Sequence, residues 1–399
     1  MLCELGPAWA LSRQVGSCCE TKSPPALAAT FDPVSGGRSL ELAHRRGDNA
    51  HKAPLEQQPR ENHEDRAVVV WVSGLMTSHN PHFVTRTACP ACRGERWTPW
   101  YACRFTDAPI RDYLQAFYAR QGGVEFEHLE GAEYVVVECR GCGLVFQRDI
   151  PDEWLSHKLY EEWINFERAS RLYPKTLAEL EGYAILLMKV LAWVGKPPAD
   201  TRLLDFGMGQ GDWCVVAKAL GAECHGFELS EASARHATSR GVKVVPEEAV
   251  AGGSYDFVNA DQVFEHLPQP LETARWLGSA LAPGGVLKIS VPRRRRDTRG
   301  ELSAGSWDAA AGGGPALNSI SPLEHLNCFN HRALATMASA AGLEMVGLPM
   351  RFEYRYLYPG GPKQVLRNIL VPLYLRAVPR STVLFFRLHA GAQLTAHVG

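Results

Sequence analysis

Three sets of side chains in this sequence are candidates for chemistry. The stretch Thr201–Cys214, T-R-L-L-D-F-G-M-G-Q-G-D-W-C, puts Asp205 at the end of an apolar strand. Gly207, Gly209 and Gly211 follow at alternate positions, ahead of an apolar helix over Trp213–Leu220. A strand, a glycine turn and a helix in that order hold a nucleotide. Glycine lets the backbone approach a ligand closely, and the helix start offers free N–H groups. The pairs Cys89-Pro90-Ala91-Cys92 and Cys139-Arg140-Gly141-Cys142 form the second set. Two C-x-x-C turns supply four thiolates, the ligand set of a closed, structural zinc site. The 46 residues between the knuckles exceed the usual ribbon spacing. The third set, His266 and His325, is joined not by spacing but by segments that should reach the same sheet edge, where an imidazole can take a proton near neutral pH.

Elements must exist to bring these residues together. Strand-like Glu133–Glu138 runs into the second knuckle, as a ribbon hairpin requires. Pro151–Phe166 has helical spacing. Its Trp154, Tyr160, Trp163 and Phe166 are expected as packing anchors rather than as pocket walls. Leu177–Val194 is a second helix, apolar over much of its circumference and so expected to lie buried between domains. Beyond the glycine turn, strands are expected at Glu223–Leu229, Val242–Val245, Tyr255–Ala260 and Val286–Val291. Two more follow at Leu343–Tyr354 and Ser381–Leu388. Helices Ser230–Arg240, Leu271–Leu281 (stopped by Pro283-Gly284-Gly285) and His331–Ala341 lie between them. Alternation of this kind gives an α/β fold with a doubly wound, mainly parallel sheet. Asp205, Glu228, Asp261 and the loop after Val291 then share the edge where such sheets bind ligands. The domain plan is residues 1–75 as a disordered extension, with the functional chain beginning at Met76; 76–150 as a zinc-ribbon-like module; 151–200 as a helical bridge; and 201–399 as the nucleotide-binding domain.

Composition narrows the partners. The 399 residues carry a net charge of −1 with 21% charged and 46% hydrophobic residues, an ordinary globular balance with no basic field for nucleic acid. No apolar run is long enough to span a bilayer and no secretory signal is evident, so a cytoplasmic protein is expected. Lys363–Arg387 spreads arginines among Leu, Val and Phe. Pro372 and Pro379 interrupt it, and packing against the sheet is expected over contact with a membrane surface. Arg293–Arg296 and Arg299 form a basic cluster, expected as a solvated lid face, with contact to an acidic acceptor as the sharper alternative.

L-D-F-G-M-G-Q-G, Glu228, Y-D-F-V-N-A-D-Q-V-F-E-H-L-P-Q-P and P-G-G-V-L-K-I-S-V-P together resemble class I S-adenosylmethionine-dependent methyltransferases. The closest type is the small-molecule group (sugar and natural-product enzymes) with an N-terminal C-x-x-C…C-x-x-C module. The resemblance implies a Rossmann-like seven-stranded sheet whose last strand is antiparallel, and a small-molecule acceptor. It implies that Asp205, Gly207, Gly209, Gly211, Glu228, Leu229, Asp261 and Gln262 border S-adenosylmethionine, with Glu228 on the ribose. Glu265-His266 matches a family motif, and His325 sits in a loop that closes over the acceptor in relatives. His266 and His325 are thus the candidate catalytic bases, with bracing of the next helix as the plainer role for His266. NAD is the rival cofactor. Its G-x-G-x-x-G turn wants glycine where this chain has Asp212, and a carboxylate there repels a diphosphate. A zinc-ribbon interaction protein with a degenerate methyltransferase domain is the alternative of a different class.

Overall fold

A computed structural model describes residues 80–119, 121–164, 175–305, 307, 318–357, 361–378 and 380–389. The expectations for residues 1–75 lie outside them.

The N-terminal part contains β1 (Phe83–Thr85), β2 (Trp97–Arg104), α1 (Ile110–Tyr118), β3 (Glu133–Cys139), β4 (Val145–Gln147) and β5 (Asp149–Pro151). Helix α2 (Glu153–Lys158) is capped by Asp152 and runs into a π turn, Leu159–Trp163. Helix α3 (Leu177–Val194) opens on a reciprocal Thr176–Glu179 capping box and stops at Gly195, whose φ is 75°. The α/β part then runs β6 (Arg202–Phe206), α4 (Asp212–Ala219), β7 (Glu223–Phe227), α5 (Glu231–Ser239), β8 (Lys243–Val244), α6 (Glu247–Ala251) and β9 (Tyr255–Asp261). It continues through α7 (Pro270–Ser279), β10 (Leu281–Ser290), α8 (Thr298–Ala304), β11 (Asn327–Cys328), α9 (His331–Ala340), β12 (Leu343–Val346), α10 (Met350–Glu353), α11 (Pro362–Ala377) and β13 (Val383–Leu388).

The large sheet has seven strands in the order β12-β13-β10-β9-β6-β7-β8. Strands β10, β9, β6, β7 and β8 are mutually parallel, and β13 is antiparallel to both its neighbours. Strand order reverses between β6 and β9, which opens a crevice at their carboxyl ends. One sheet face packs Leu204, Val258 and Leu287 against Leu271 and Leu277 of α7 and Leu334 of α9. The other packs Leu203, Phe257 and Val286 against Trp213 of α4 and Leu187 and Val190 of α3. Helix α3 is therefore a layer of this sheet and not a spacer between domains.

Three local expectations change. Pro283-Gly284-Gly285 lies inside β10, where pairing with β9 breaks register between Leu281 and Val286. Strand β12 ends at Val346, because Pro349 starts a helical turn. Helix α11 runs through Pro372, and its apolar side chains face solvent instead of the sheet.

A second sheet, β11-β4-β3-β2, is antiparallel throughout. Its strand β11 comes from far down the chain, so the loop after β10 returns to complete the knuckle sheet. Arg86 locks that junction. Its guanidinium, buried among acceptors, donates to Asn327 Oδ1 at 3.0 Å, to the Pro268 carbonyl at 2.8 Å and to the carbonyls of Gln147, Leu267 and Leu326. Burial pulls its pKa down to about 9, which still leaves it charged at neutral pH. Asn327 in turn donates to the carbonyls of Phe264 and Leu267. Arg86→Met should therefore lower unfolding free energy by about 2–4 kcal/mol, because it leaves buried acceptors without a donor. Urea denaturation checks this, and a loss under about 0.5 kcal/mol would refute it.

Candidate functional site

Gly207, Gly209 and Gly211 all take positive φ, at 70°, 55° and 76°. A Cβ on Gly207 would stand 2.6 Å from Val263 Cγ2, so the turn is pressed against the loop after β9. At Gly209 a Cβ would meet nothing within 4 Å, so this is the point where the turn faces open space. Glu228 follows the last residue of β7. Its Oε2 accepts from the Gly209 N–H at 2.8 Å and its Oε1 from the Ser230 N–H at 3.0 Å. Both oxygens are held by backbone, and each keeps a lone pair for a ligand hydroxyl. Leu229 beside it is 81% exposed.

Register across the sheet builds a polar row that sequence alone does not show. Asp205 pairs with Asn259, and Asn259 with Lys288. Asn259 Nδ2 donates to Asp205 Oδ1 at 2.7 Å. Lys288 Nζ donates to Asn259 Oδ1 at 2.8 Å and to Asp261 Oδ1 at 3.2 Å. Lys288, an amine in a run of apolar strand residues, is buried. Tyr183 of α3 lies near the same acids; burial, then the charges of Asp261, Asp205 and Asp212, push its phenol well above the ordinary value. The signal for Lys288 was an amine in an apolar strand, whereas nothing in the sequence singles out Tyr183. Gln262 has φ 59°, rare without glycine; its N–H donates to the Ser290 carbonyl.

Asp212 is placed differently from the others. Its Oδ1 pairs with Arg240 Nη1 at 2.6 Å, so this carboxylate is neutralised at the helix start. Its charge therefore does not repel a diphosphate, which corrects the expectation drawn from Asp212. Glu247 and Glu248 are exposed in the first turn of α6.

His266 and His325 do meet, with ring centroids 4.7 Å apart at 80°. His266 Nδ1 lies 3.0 Å from the Glu324 carbonyl and 3.0 Å from Tyr160 Oη. A carbonyl only accepts, so the Glu324 contact requires the Nδ1–H tautomer, whereas Tyr160 Oη can serve either tautomer. His325 Nδ1 likewise contacts the Asn318 carbonyl. Glu265, buried, places Oε1 3.8 Å from His266 Nε2. Of the aromatics expected as packing anchors, Trp163 is buried, but Tyr160 and Trp154 are 37% and 47% exposed. Tyr160 belongs to the histidine cluster, and the π turn carries it there. In the basic cluster, Arg294 is held by Glu138 at 3.0 Å and by the Gly143 carbonyl, while Arg293, Arg295 and Arg296 are exposed.

The four cysteines Cys89, Cys92, Cys139 and Cys142 form one cluster with every sulfur within 4.8 Å of the others. Sγ separations are 3.6 Å for Cys89–Cys142 and 3.5 Å for Cys92–Cys139. Both knuckles make the same turn: the N–H of Arg93 bonds the Cys89 carbonyl, and that of Gly143 bonds the Cys139 carbonyl. Crowding splits the thiols. Cys89 falls to about 5, favoured by the Cys142 thiol and by backbone N–H groups, while burial pushes Cys92 up to about 11.

Residues 176–348 match the family model described as a methyltransferase domain. This span includes the glycine turn, Glu228, the polar row and both histidines. The chain is similar to the ubiquinone biosynthesis O-methyltransferase of Bordetella avium (strain 197N), 34% identical over 104 residues, which cover 23% of this chain and 43% of that one. It is 27% identical over 151 residues to the protein of the same name from Burkholderia multivorans, covering 35% of this chain and 60% of that one. The chain thus spans about half the length of the relatives it matches. Among solved structures, S-adenosylmethionine-bound CalS10, described as an amino pentose methyltransferase from Micromonospora echinaspora, aligns over 32% of this chain and 55% of its own, at 24% identity and a TM-score of 0.27.

Burial raises the Asp205 carboxyl to about 7, against the help of Asn259 and Lys288. A native value above the unfolded one means that the folded state holds the proton more tightly. Stability from this group is then full below the unfolded value and is lost as pH rises through about 7. Asp205→Asn should stabilise the ligand-free protein at pH 8 by about 1–3 kcal/mol and by much less at pH 4, close to the unfolded value. Melting curves at the two pH values test this, and destabilisation at pH 8 would contradict it.

Proposed function

We propose that this chain transfers the methyl group of S-adenosylmethionine to a hydroxyl of a small molecule, of the sugar or secondary-metabolite kind, and that a structural zinc holds its knuckles. The observation that carries the first part is the Glu228 carboxylate. It is fixed by the Gly209 and Ser230 N–H groups beside open space at Gly209, where a ribose would present two hydroxyls. Asp205, Asp261 and Glu228 set three carboxyls against one buried cation, Lys288, and this excess suits a ligand bearing ammonium and sulfonium charge. Leu229 and Gln262 border the adenosine and methionine portions in this reading.

The donor, when bound, supplies an electrophilic methyl, so the protein's task is alignment and proton removal. His266 Nε2 takes the acceptor's proton as the new bond to carbon forms. Its Nδ1 hydrogen stays on the Glu324 carbonyl, which keeps the ring in place. The Glu265 carboxylate at 3.8 Å then offsets the imidazolium charge. Tyr160 and His325 line the same cluster and orient the acceptor hydroxyl. His266→Ala should lower kcat by about 10²–10⁴ with the donor KM little changed, whereas Glu228→Gln should raise the donor KM by about tenfold or more. S-Adenosylhomocysteine release against a panel of small hydroxylated acceptors reads both. An unchanged kcat for the histidine variant would remove it from the chemistry.

For zinc, a tetrahedral site with metal–sulfur bonds of about 2.3 Å has sulfur–sulfur edges of about 3.8 Å. The separations of 3.5 and 3.6 Å fit that shape with slight contraction. Four thiolates close the site, so the ion's role is structural. The knuckle cysteines pack in the same core as Phe264, Phe329 and Leu334, so zinc loss should propagate. The purified protein should carry about one zinc per chain, and Cys142→Ser should lose it and unfold at lower temperature. Elemental analysis of both proteins checks the claim, and a metal-free but equally stable wild type would refute it.

A further inference from the structure

Helix α11 has its polarity reversed. Val365, Leu366, Ile369, Leu370, Leu373 and Tyr374 are 46–57% exposed and share one face at helical spacing. Gln364, Arg367 and Asn368 are the half-buried side, with Gln364 Nε2 donating to Asn368 Oδ1 at 3.0 Å. Tyr354 Oη donates to the Ile369 carbonyl and ties the helix to the segment before it. An outward apolar stripe of this size marks a surface that something else covers.

Charge decides what covers it. Residues 354–399 contain Arg355, Lys363, Arg367, Arg376, Arg380 and Arg387 and no Asp or Glu. The whole chain has a net charge of −1, so this tail of +6 sits on a remainder of −7. Arg355, Lys363 and Arg380 are exposed around the helix. A second copy of this face would oppose cations with cations, which is unfavourable. An anionic lipid surface meets both features, with headgroups for the basic rim and the acyl boundary for the stripe. Helix α11 has 16 residues, and none of the described helices is long and apolar enough to cross a membrane.

We propose that α11 is an interfacial anchor that lays its apolar stripe on an anionic phospholipid surface. The site residues lie on other elements, so anchoring and donor binding are separable.

The test is co-sedimentation of the full chain with vesicles of phosphatidylcholine alone, or with about 40% phosphatidylglycerol. The wild type should pellet with the anionic vesicles about tenfold more than with neutral ones, and less in high salt. The triple change Leu366→Glu, Ile369→Glu, Leu373→Glu should abolish pelleting while S-adenosylmethionine binding persists. Should that variant fail to fold, the surface pair Arg355→Glu and Lys363→Glu decides, with an expected loss of pelleting and of its salt dependence. Wild type that stays in solution, or variants that pellet equally, would overturn the proposal. So would sedimentation velocity showing a wild-type dimer that the triple change makes monomeric, because the stripe would then be an interface between copies.

Discussion

Asp205 is a carboxyl at a place where water hardly reaches, and much of the site follows from how the protein tolerates it. An isolated charge there would be prohibitive. Asn259 donates to it, Lys288 supports Asn259, and Asp261 completes the row. Such a row is possible only because β6, β9 and β10 are parallel and in register at the point where strand order reverses. The fold therefore delivers the electrostatics: carboxyls gathered at one edge, one buried ammonium among them, and the glycine turn directly above.

The same edge also gathers the histidine cluster. Val263 presses on Gly207, and the turn after it presents Glu265 and His266. The long loop after β10 returns with Glu324 and His325 and then pairs as β11 with the knuckle sheet. Arg86 and Asn327 fasten that return. The cysteine knuckles therefore act on the histidines through a short path: a sheet, one buried guanidinium and a loop carbonyl.

Much of this was legible in the residues. Alternating apolar strands and capped helices gave a mainly parallel α/β sheet, the resemblance gave its seven strands with the last antiparallel, and Asp205, the three glycines and Glu228 fell where a strand–turn–helix must put them. The C-x-x-C pairs converge despite a separation longer than the usual ribbon spacing. What stayed hidden depends on register or on distant segments. Asn259 and Lys288 become partners only once three strands are aligned. Tyr160 reaches His266 because a π turn shifts its side, which periodicity does not encode. Pro283-Gly284-Gly285 has the composition of a stop, yet the strand absorbs it as an irregularity. Helix α11 was expected to pack against the sheet, because the spacing of apolar residues does not say whether they point inward or outward. Asp212 was read as a free carboxylate because Arg240, its partner, is 28 residues away in sequence.

The central claim is that this edge binds a cationic methyl donor and not a dinucleotide. Titration calorimetry of the purified chain with S-adenosylmethionine, and in parallel with NAD, tests it most directly. The account predicts saturable one-to-one binding of S-adenosylmethionine in the micromolar range, roughly −8 kcal/mol, with an enthalpy that varies between buffers as Asp205 releases a proton, and no binding of NAD. Saturable binding of NAD with no heat from S-adenosylmethionine would contradict it.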